Sequence, residues 1–232
     1  MKNVLFVSAG DKTVFYENWL DENRNYDIFV CYYGSEKDRK YEKYANFYFE
    51  RKGSKFQNFS YLWNCCENNL NLRNYKNYFI IDDDIIIKTK EINELFEYMD
   101  KFDLWILQPS FNPECKIISH QITKQQINNN YRYVNFIEVN VPIFSNYAIT
   151  KCMEIYKDEL VGYGIDYLFL SHLGVEHKDK YMIVDRISCI NPYSKIREID
   201  LLQDLKTRMK KWDKVKTELG ISEYKHITWK YF

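Results

Sequence analysis

Apolar and polar positions along this chain alternate between short apolar runs and longer stretches of helical period. Asn3 to Ser8 predicts a buried strand, with the turn Ala9-Gly10-Asp11 after it. Val14 to Leu20 has a helical pattern, and Asp27 to Tyr33 predicts a second strand ending at Gly34. After the polar loop Ser35 to Lys43, Phe47 to Glu50 predicts a short strand. Phe56, Phe59, Leu62, Trp63 and Cys66 recur near the helical period, which predicts a helix over Ser54 to Leu70. The run Tyr78 to Ile81 predicts a strand, Lys90 to Met99 a helix capped by Thr89, and Asp103 to Leu107 another strand. This strand–helix alternation predicts an α/β sandwich around a mainly parallel sheet, with ligands at the carboxyl ends of its strands. Ser8 to Asp11, Tyr32 to Gly34 and Asp82 to Asp84 all fall at such ends, so one cleft is expected to be lined by all three.

The second half is less regular. Ile122 to Asn130 reads as a polar loop, Tyr131 to Val141 as strand, and Asn146 to Glu159 as helix. Gly162-Tyr163-Gly164 breaks the chain before a short helix from about Ile165 to Leu173, and Tyr181 to Ser188 is a strand. Ile199, Leu202, Leu205, Met209, Trp212 and Val215 form one helical stripe, with most lysines elsewhere on the helix. The expected organisation is a catalytic domain over 1–196 and a basic amphipathic helix and tail over 197–232 packed on it.

The chemistry concentrates at Asp82-Asp83-Asp84, where three consecutive carboxylates interrupt an apolar run. Adjacent anions repel, so they make poor strand material unless a cation offsets them. If the chain stays extended, Asp82 and Asp84 point the same way and offer hard oxygens to Mg²⁺ or Mn²⁺, ions suited to a diphosphate. Asp84 is the first choice for a direct metal ligand. Asp82 is assigned to a ribose or water-mediated metal contact, and Asp83 to a structural hydrogen bond. The plain alternative is a solvated acidic turn. Ser8, Ala9 and Gly10 would let a nucleotide approach the backbone, and Tyr32 or Tyr33 would stack on its base.

Composition narrows the class. The formal net charge is +0, which argues against a nucleic-acid binder. The basic residues are nevertheless uneven: Lys195 to Phe232 holds ten Lys/Arg and six Asp/Glu, a net of 10 − 6 = +4. That end raises the expectation of peripheral contact with an anionic membrane, against the simpler expectation of a solvated helix face. The 6 cysteines form no Cys-x-x-Cys pair, which favours reduced thiols and a cytoplasmic location over structural zinc. The apolar segment Val4 to Ala9 is too short for a signal core or a membrane span.

An apolar strand running into Asp-x-Asp resembles the nucleotide-sugar site of glycosyltransferases with the GT-A fold. A longer series resembles a plant and bacterial family catalogued as domain of unknown function 707. It comprises Ser54-Lys55-Phe56, Ile81-Asp82-Asp83-Asp84, Leu107-Gln108-Pro109-Ser110, Ser119-His120-Gln121-Ile122-Thr123, Tyr131-Arg132, Asn135-Phe136-Ile137-Glu138, Pro142-Ile143-Phe144-Ser145, Gly162-Tyr163-Gly164-Ile165-Asp166 and Val184-Asp185. A group of small virus-encoded GT-A glycosyltransferases looks similar in size and in the placement of Asp-x-Asp.

The resemblance implies a donor-binding role for Lys55 and places Asp166 where such enzymes hold an acid beside the acceptor, as general base. An acid that merely favours a helix start is the plain alternative for Asp166. Glu138, Arg132 and His120 are candidates for the acceptor side, with an Arg132–Glu138 ion pair beneath it. The family has a histidine after its Val-Asp strand where this chain has Asn191, so Asn191 is a weaker candidate for the third metal ligand. The implied activity is metal-dependent transfer of a sugar from a nucleoside diphosphate sugar, a UDP-sugar by preference, to a hydroxyl of a glycan or lipid-linked glycan. A catalytically silent glycan-binding or scaffold protein of the same fold is the alternative. An Asp-nucleophile phosphatase is disfavoured, because Ile85 follows the motif and the motif lies mid-chain.

Overall fold

In strand β1 (Asn3–Ala9), Val4 and Phe6 face one side of the sheet, Leu5, Val7 and Ala9 face the other, and all are fully buried. A strand without a polar face belongs in the middle of a sheet covered on both sides. The structure, a computed structural model, describes residues 2–65, 72–115, 118–192 and 198–232 and shows that arrangement. β1 pairs in parallel with β2 (Tyr26–Tyr32) and β4 (Asn77–Asp82), and β2 pairs in parallel with β3 (Phe47–Glu50). The other strands are β5 (Ile106–Phe111), β6 (Tyr131–Val134), β7 (Ile143–Ser145), β8 (Tyr181–Cys189) and β9 (Thr228–Tyr231). The order across the sheet is β3-β2-β1-β4-β7-β5-β8-β6-β9. β7 is antiparallel to both β4 and β5, so it divides the parallel half from the mixed half.

The helices are α1 (Phe15–Asn18), α2 (Lys55–Asn64), α3 (Thr89–Phe102), α4 (Asn146–Ile155), α5 (Ile165–Leu173), α6 (Glu198–Leu202) and α7 (Leu205–Glu218). One core holds Phe56, Phe59 and Trp63 of α2, Ala148 and Ile149 of α4, Phe169 of α5 and Trp212 of α7. The core on the opposite face holds Phe15 of α1 and Ile92, Leu95, Phe96 and Met99 of α3. These apolar stripes give the two helical layers their places.

Several boundaries differ from the sequence reading. Asp103, at φ 49°, closes α3 after Phe102, and β5 starts later and runs through Pro109, next to a register shift against β8. A proline has no N–H for the ladder, which accounts for the irregularity there. The expected strand over Tyr131 to Val141 stops at Val134, because Asn135 binds the chain near residues 225–227 instead of continuing the ladder. The far end of the helix expected to reach Leu70, from Cys66 onward, lies outside the described residues, as do Lys195 and the proposed boundary at Ile196.

The C-terminal stripe is two helices. The first ends at Leu202, and Asp204 caps α7 by accepting from Thr207 N at 3.0 Å. Trp212 and Val215 are buried, but Leu202 and Met209 are 48% and 42% exposed. The tail then returns as β9, which pairs with β6 and completes the sheet edge. Among the described residues, no helix is long and apolar enough to cross a membrane. Cys31, Cys65, Cys115, Cys152 and Cys189 are free thiols.

Candidate active site

Parallel pairing puts the ends of β1 and β4 side by side, with Ser8 in register with Asp82 on one flank and Cys31 on the other. The acidic triplet is not extended. β4 ends at Asp82 and the chain turns, with Ile85 N donating to Asp82 O at 3.3 Å. Ile85 and Ile87 are buried below this turn, which explains apolar sequence on both sides of it. The turn therefore gives each acid its own direction, and the strand alternation expected for Asp82 and Asp84 does not apply.

Asp83 accepts from Gly10 N at 2.8 Å, and its carbonyl accepts from Thr13 Oγ1 and Val14 N. It thereby ties the β1 turn to the β4 turn, the structural role expected of it. Asp82 pairs with Lys55 Nζ at 2.8 Å. Lys55 opens α2 and also donates to the carbonyls of Val139 and Asn140, at 2.7 and 3.0 Å. Burial pushes the Lys55 ammonium below its usual range, against the pull of Asp82. Burial also pushes Asp83 up to about 7 and Asp84 up to about 6, and neighbouring carboxylates add to both.

Donor-side geometry extends to residues that had no signature in the sequence. Asn58, fully buried on α2, donates to Ser8 Oγ at 3.0 Å and accepts from Arg51 Nη1 at 2.6 Å. Tyr33 lies at Gly10 together with Glu198 of α6, and a Cβ on Gly10 would meet both within 2.9 Å. Glycine is thus required there by close approach. Tyr32 is buried and bonded to Asp11, which also receives Ser35 N, so Tyr32 offers no free face to a base. Asn191 leaves β8 beside the acidic turn because Ile190 bridges Ile86, and its N–H is donated to Cys115 Sγ at 3.2 Å.

A row of acids continues away from Asp82. Asn140 Nδ2 donates to Glu138 Oε1 at 3.0 Å, and Thr123 Oγ1 donates to Glu138 Oε2 at 3.2 Å. Glu138 and Asp166 line one small pocket with Ile137, Phe144, Phe169 and Leu170. Burial, then the neighbouring Asp166, pushes Glu138 up to about 8, and burial pushes Asp166 up to about 7. Asp166 sits in the first turn of α5, and Tyr167 N donates to its Oδ1 at 2.9 Å. The glycines before it have φ of +76° and +83°, the left-handed region.

One expectation for the acceptor side is corrected. Arg132 does not pair with Glu138. It lies fully buried on β6, with Nε bonded to Asp185 Oδ2 at 2.9 Å and Nη2 to Lys124 O at 2.8 Å. The register of β6 against β8 places Arg132 opposite Ile183, within reach of Asp185. The His120 ring packs on Phe136 at 4.5 Å, and burial, then His226, holds it down to about 4.

Asp82 and Asp84 are the residues that suit a divalent ion. Among the described residues, no group of three or more His, Cys, Asp or Glu side chains is placed to hold a metal alone. Two carboxylates, one of which also holds Lys55, fit Mg²⁺ or Mn²⁺, which are bound through one or two carboxylates, waters and substrate phosphates. They do not fit an all-protein cage.

No family model matches the chain, and no curated protein matches it. Solved structures are similar in fold. S. aureus TarS has a TM-score of 0.62 at 11% identity, covering 97% of this chain and 41% of that one. S. aureus TarS 1-349 in complex with UDP-GlcNAc has a TM-score of 0.62 at 10% identity, covering 97% of this chain and 68% of that one. GalNAc-T7 with UDP, GalNAc and Mn²⁺ has a TM-score of 0.62 at 8% identity, covering 93% of this chain and 48% of that one. This chain thus spans less than half the length of the first and the last of these. At such identities the likeness is one of fold, and the fold is GT-A, as the resemblance of the strand running into Asp-x-Asp implied.

Proposed function

We propose that the chain is a metal-dependent glycosyltransferase that moves a sugar from a nucleoside diphosphate sugar to a glycan hydroxyl. The observation that carries this reading is the meeting of Gly10, Lys55 and the turn Asp82-Asp83-Asp84 at the carboxyl ends of adjacent parallel strands, with Asp166 reached along one row of polar groups. The GT-A neighbours in complex with UDP-GlcNAc, or with UDP and Mn²⁺, support a UDP-sugar and a similar ion here.

In this reading Ser8, Ala9 and Gly10 present backbone to the nucleoside, and Asp82 and Asp84 would hold Mn²⁺ or Mg²⁺, which when bound would supply positive charge for the departing diphosphate. Lys55 supplies a second, fixed positive charge on the same side. Asp166 takes the proton of the acceptor hydroxyl, and its near-neutral pKa suits a base working near pH 7. Glu138, which holds its proton more tightly, donates a hydrogen bond within the same pocket. Asn191 remains the weaker candidate for a third ligand.

A thermal-shift screen of nucleoside diphosphates and UDP-sugars, with and without Mn²⁺, tests the reading. A ligand that binds only the folded state raises the melting point by mass action. A rise with UDP that requires Mn²⁺ is expected, and no rise with any nucleotide rejects the reading. Asn191, standing where the resembled family has a histidine, keeps one alternative, a silent glycan-binding protein of the same fold. UDP-sugar hydrolysis that depends on Mn²⁺ excludes it.

A further inference from the structure

α6 begins at the candidate site and leaves it at once. Glu198, its first residue, lies against Gly10, and the next, Ile199, fills the space at Gly162. Asp200 pairs with the buried Arg208 and so ties α6 to α7. The apolar side chains that follow turn outward. Leu201 is 78% exposed, and Leu202, Leu205 and Met209 are exposed as well. Leu202 stands one helical turn beyond Glu198, about 6 Å of rise. Elsewhere among the described residues, large exposed apolar side chains occur singly or, at Tyr231 and Phe232, as a pair. Scattered ones need no explanation, but four between Leu201 and Met209 do.

The charges around this corner are as uneven. On α7, Arg208, Trp212 and Val215 are buried. Leu205 and Met209 lie four apart on another face, with Lys206 and Lys210 in the neighbouring column. Leu205–Glu218 holds six Lys/Arg and two Asp/Glu, a net of 6 − 2 = +4. Arg208, Lys214 and Lys216 have acidic partners. Lys206, Lys210 and Lys211 have none among the described residues, and Asp213 is the acid that interrupts the basic run.

We propose that the corner of α6 and α7 docks on an anionic lipid bilayer. Leu201, Leu202, Leu205 and Met209 enter the headgroup layer, and Lys206, Lys210 and Lys211 meet the lipid phosphates. Apolar insertion and attraction to anionic lipid act together at such a surface, and lysine stems lie along the apolar layer while their ammonium groups stay among the headgroups. Charge argues against a second copy as the occupant, because a twofold contact would set Lys206 and Lys210 against the same residues of the other copy. The proposal does not need the glycosyltransferase reading. Where both hold, the site abuts the lipid and suits an acceptor carried on it.

Co-sedimentation of the full chain with vesicles tests this, using phosphatidylcholine alone and equal parts of phosphatidylcholine and phosphatidylserine. Binding to the mixed vesicles at low salt is expected, weakened at high salt by screening, with little binding to phosphatidylcholine alone. Lys206→Gln with Lys210→Gln should weaken it about thirtyfold, the effect of two lysines near an anionic surface. Leu201→Ser with Leu202→Ser should weaken it about tenfold. These side chains are exposed, so both variants should melt within a few degrees of the wild type and bind UDP as it does. No binding to the mixed vesicles at low salt, equal binding to phosphatidylcholine alone, or binding that both variants retain in full overturns the proposal. So does a dimer that the leucine variant abolishes, found in place of vesicle binding, which assigns the surface to a second copy. The vesicle measurements contain no nucleotide, so failure of UDP to bind the wild type counts against the donor reading alone.

Discussion

The indole of Trp212 lies against Gly164, in the space that a Cβ on that glycine would occupy. The same holds two residues earlier, where a Cβ on Gly162 would meet Ile199 Cδ1 at 2.6 Å. Both glycines also need left-handed backbone, so two independent constraints exclude a side chain. The two C-terminal helices thus pack on the turn that leads into Asp166. Gly164→Ala combines backbone strain with overpacking, roughly 2–5 kcal/mol together. At about 2–4 °C per kcal/mol for a domain of this size, calorimetry should show a clear fall in melting point. An unchanged melting point would mean that Trp212 does not dock there.

Arg132 and Asp185 form an ion pair in which both side chains are fully buried. Removing one partner leaves an uncompensated charge, which costs about 3–5 kcal/mol. Arg132→Met should therefore lower the melting point strongly, and the double variant with Asp185→Leu should recover most of the loss. Chemical denaturation of both variants checks this. A stable Arg132→Met protein with only its acceptor affinity reduced would restore Arg132 to the acceptor side.

How much of this was legible in the sequence depended on whether the cause was local. β1 and β4 were visible because strands buried on both faces are continuously apolar, and Asp82 to Asp84 stood out against that background. The break before α7 was also written locally, as an acid capping Leu205, but the apolar stripe concealed it. The partners of Arg132, Gly164 and Phe136 were not legible. Asp185, Trp212 and His226 reach them through sheet register and chain return, which leave no periodic trace. Asn58 looked like one more polar residue on a helix, and only the structure shows it fastening Arg51 to Ser8.

Lys55 is held by Asp82 and two carbonyls while mostly buried. Lys55→Met removes charge-assisted hydrogen bonds of about 1.5–3 kcal/mol each to a charged partner. If the ammonium faces the donor diphosphate, UDP affinity should fall about tenfold to a hundredfold. Isothermal titration with UDP and Mn²⁺ measures this. Full affinity in Lys55→Met would leave Lys55 as a brace for the loop at Val139 and Asn140.

Without ligands, the acids give stability a definite pH dependence. Asp83, Asp84, Glu138 and Asp166 have folded-state values raised to about 7, 6, 8 and 7, above the usual carboxylate range. A raised value means that the folded state binds the proton more tightly than the unfolded chain. The stabilisation is therefore complete below about pH 4 and is lost as pH rises through 6 to 8. The melting point of the ligand-free protein should fall over that window. Mn²⁺ with UDP should flatten the slope by compensating the ionised Asp84. Asp84→Asn should flatten part of it without metal and abolish the response to Mn²⁺. A melting point independent of pH from 5 to 8 would contradict the buried placement of these groups.

Asp166 and Glu138 share a pocket, and substitution separates the roles proposed for them. Asp166→Asn keeps the size of the side chain and the bond from Tyr167 N but removes the base. Transfer should fall by about 10²–10⁴, with UDP affinity nearly unchanged. Glu138→Gln replaces a group that already carries its proton at neutral pH, so it should cost far less at pH 7. Its effect should appear at higher pH, where the wild type loses that proton and the amide does not. Rate against pH for the wild type and both variants decides the assignment. Equal losses at pH 7 in the two variants would make the pair a single acid–base unit, and a parallel loss of UDP binding in Asp166→Asn would place Asp166 on the donor side.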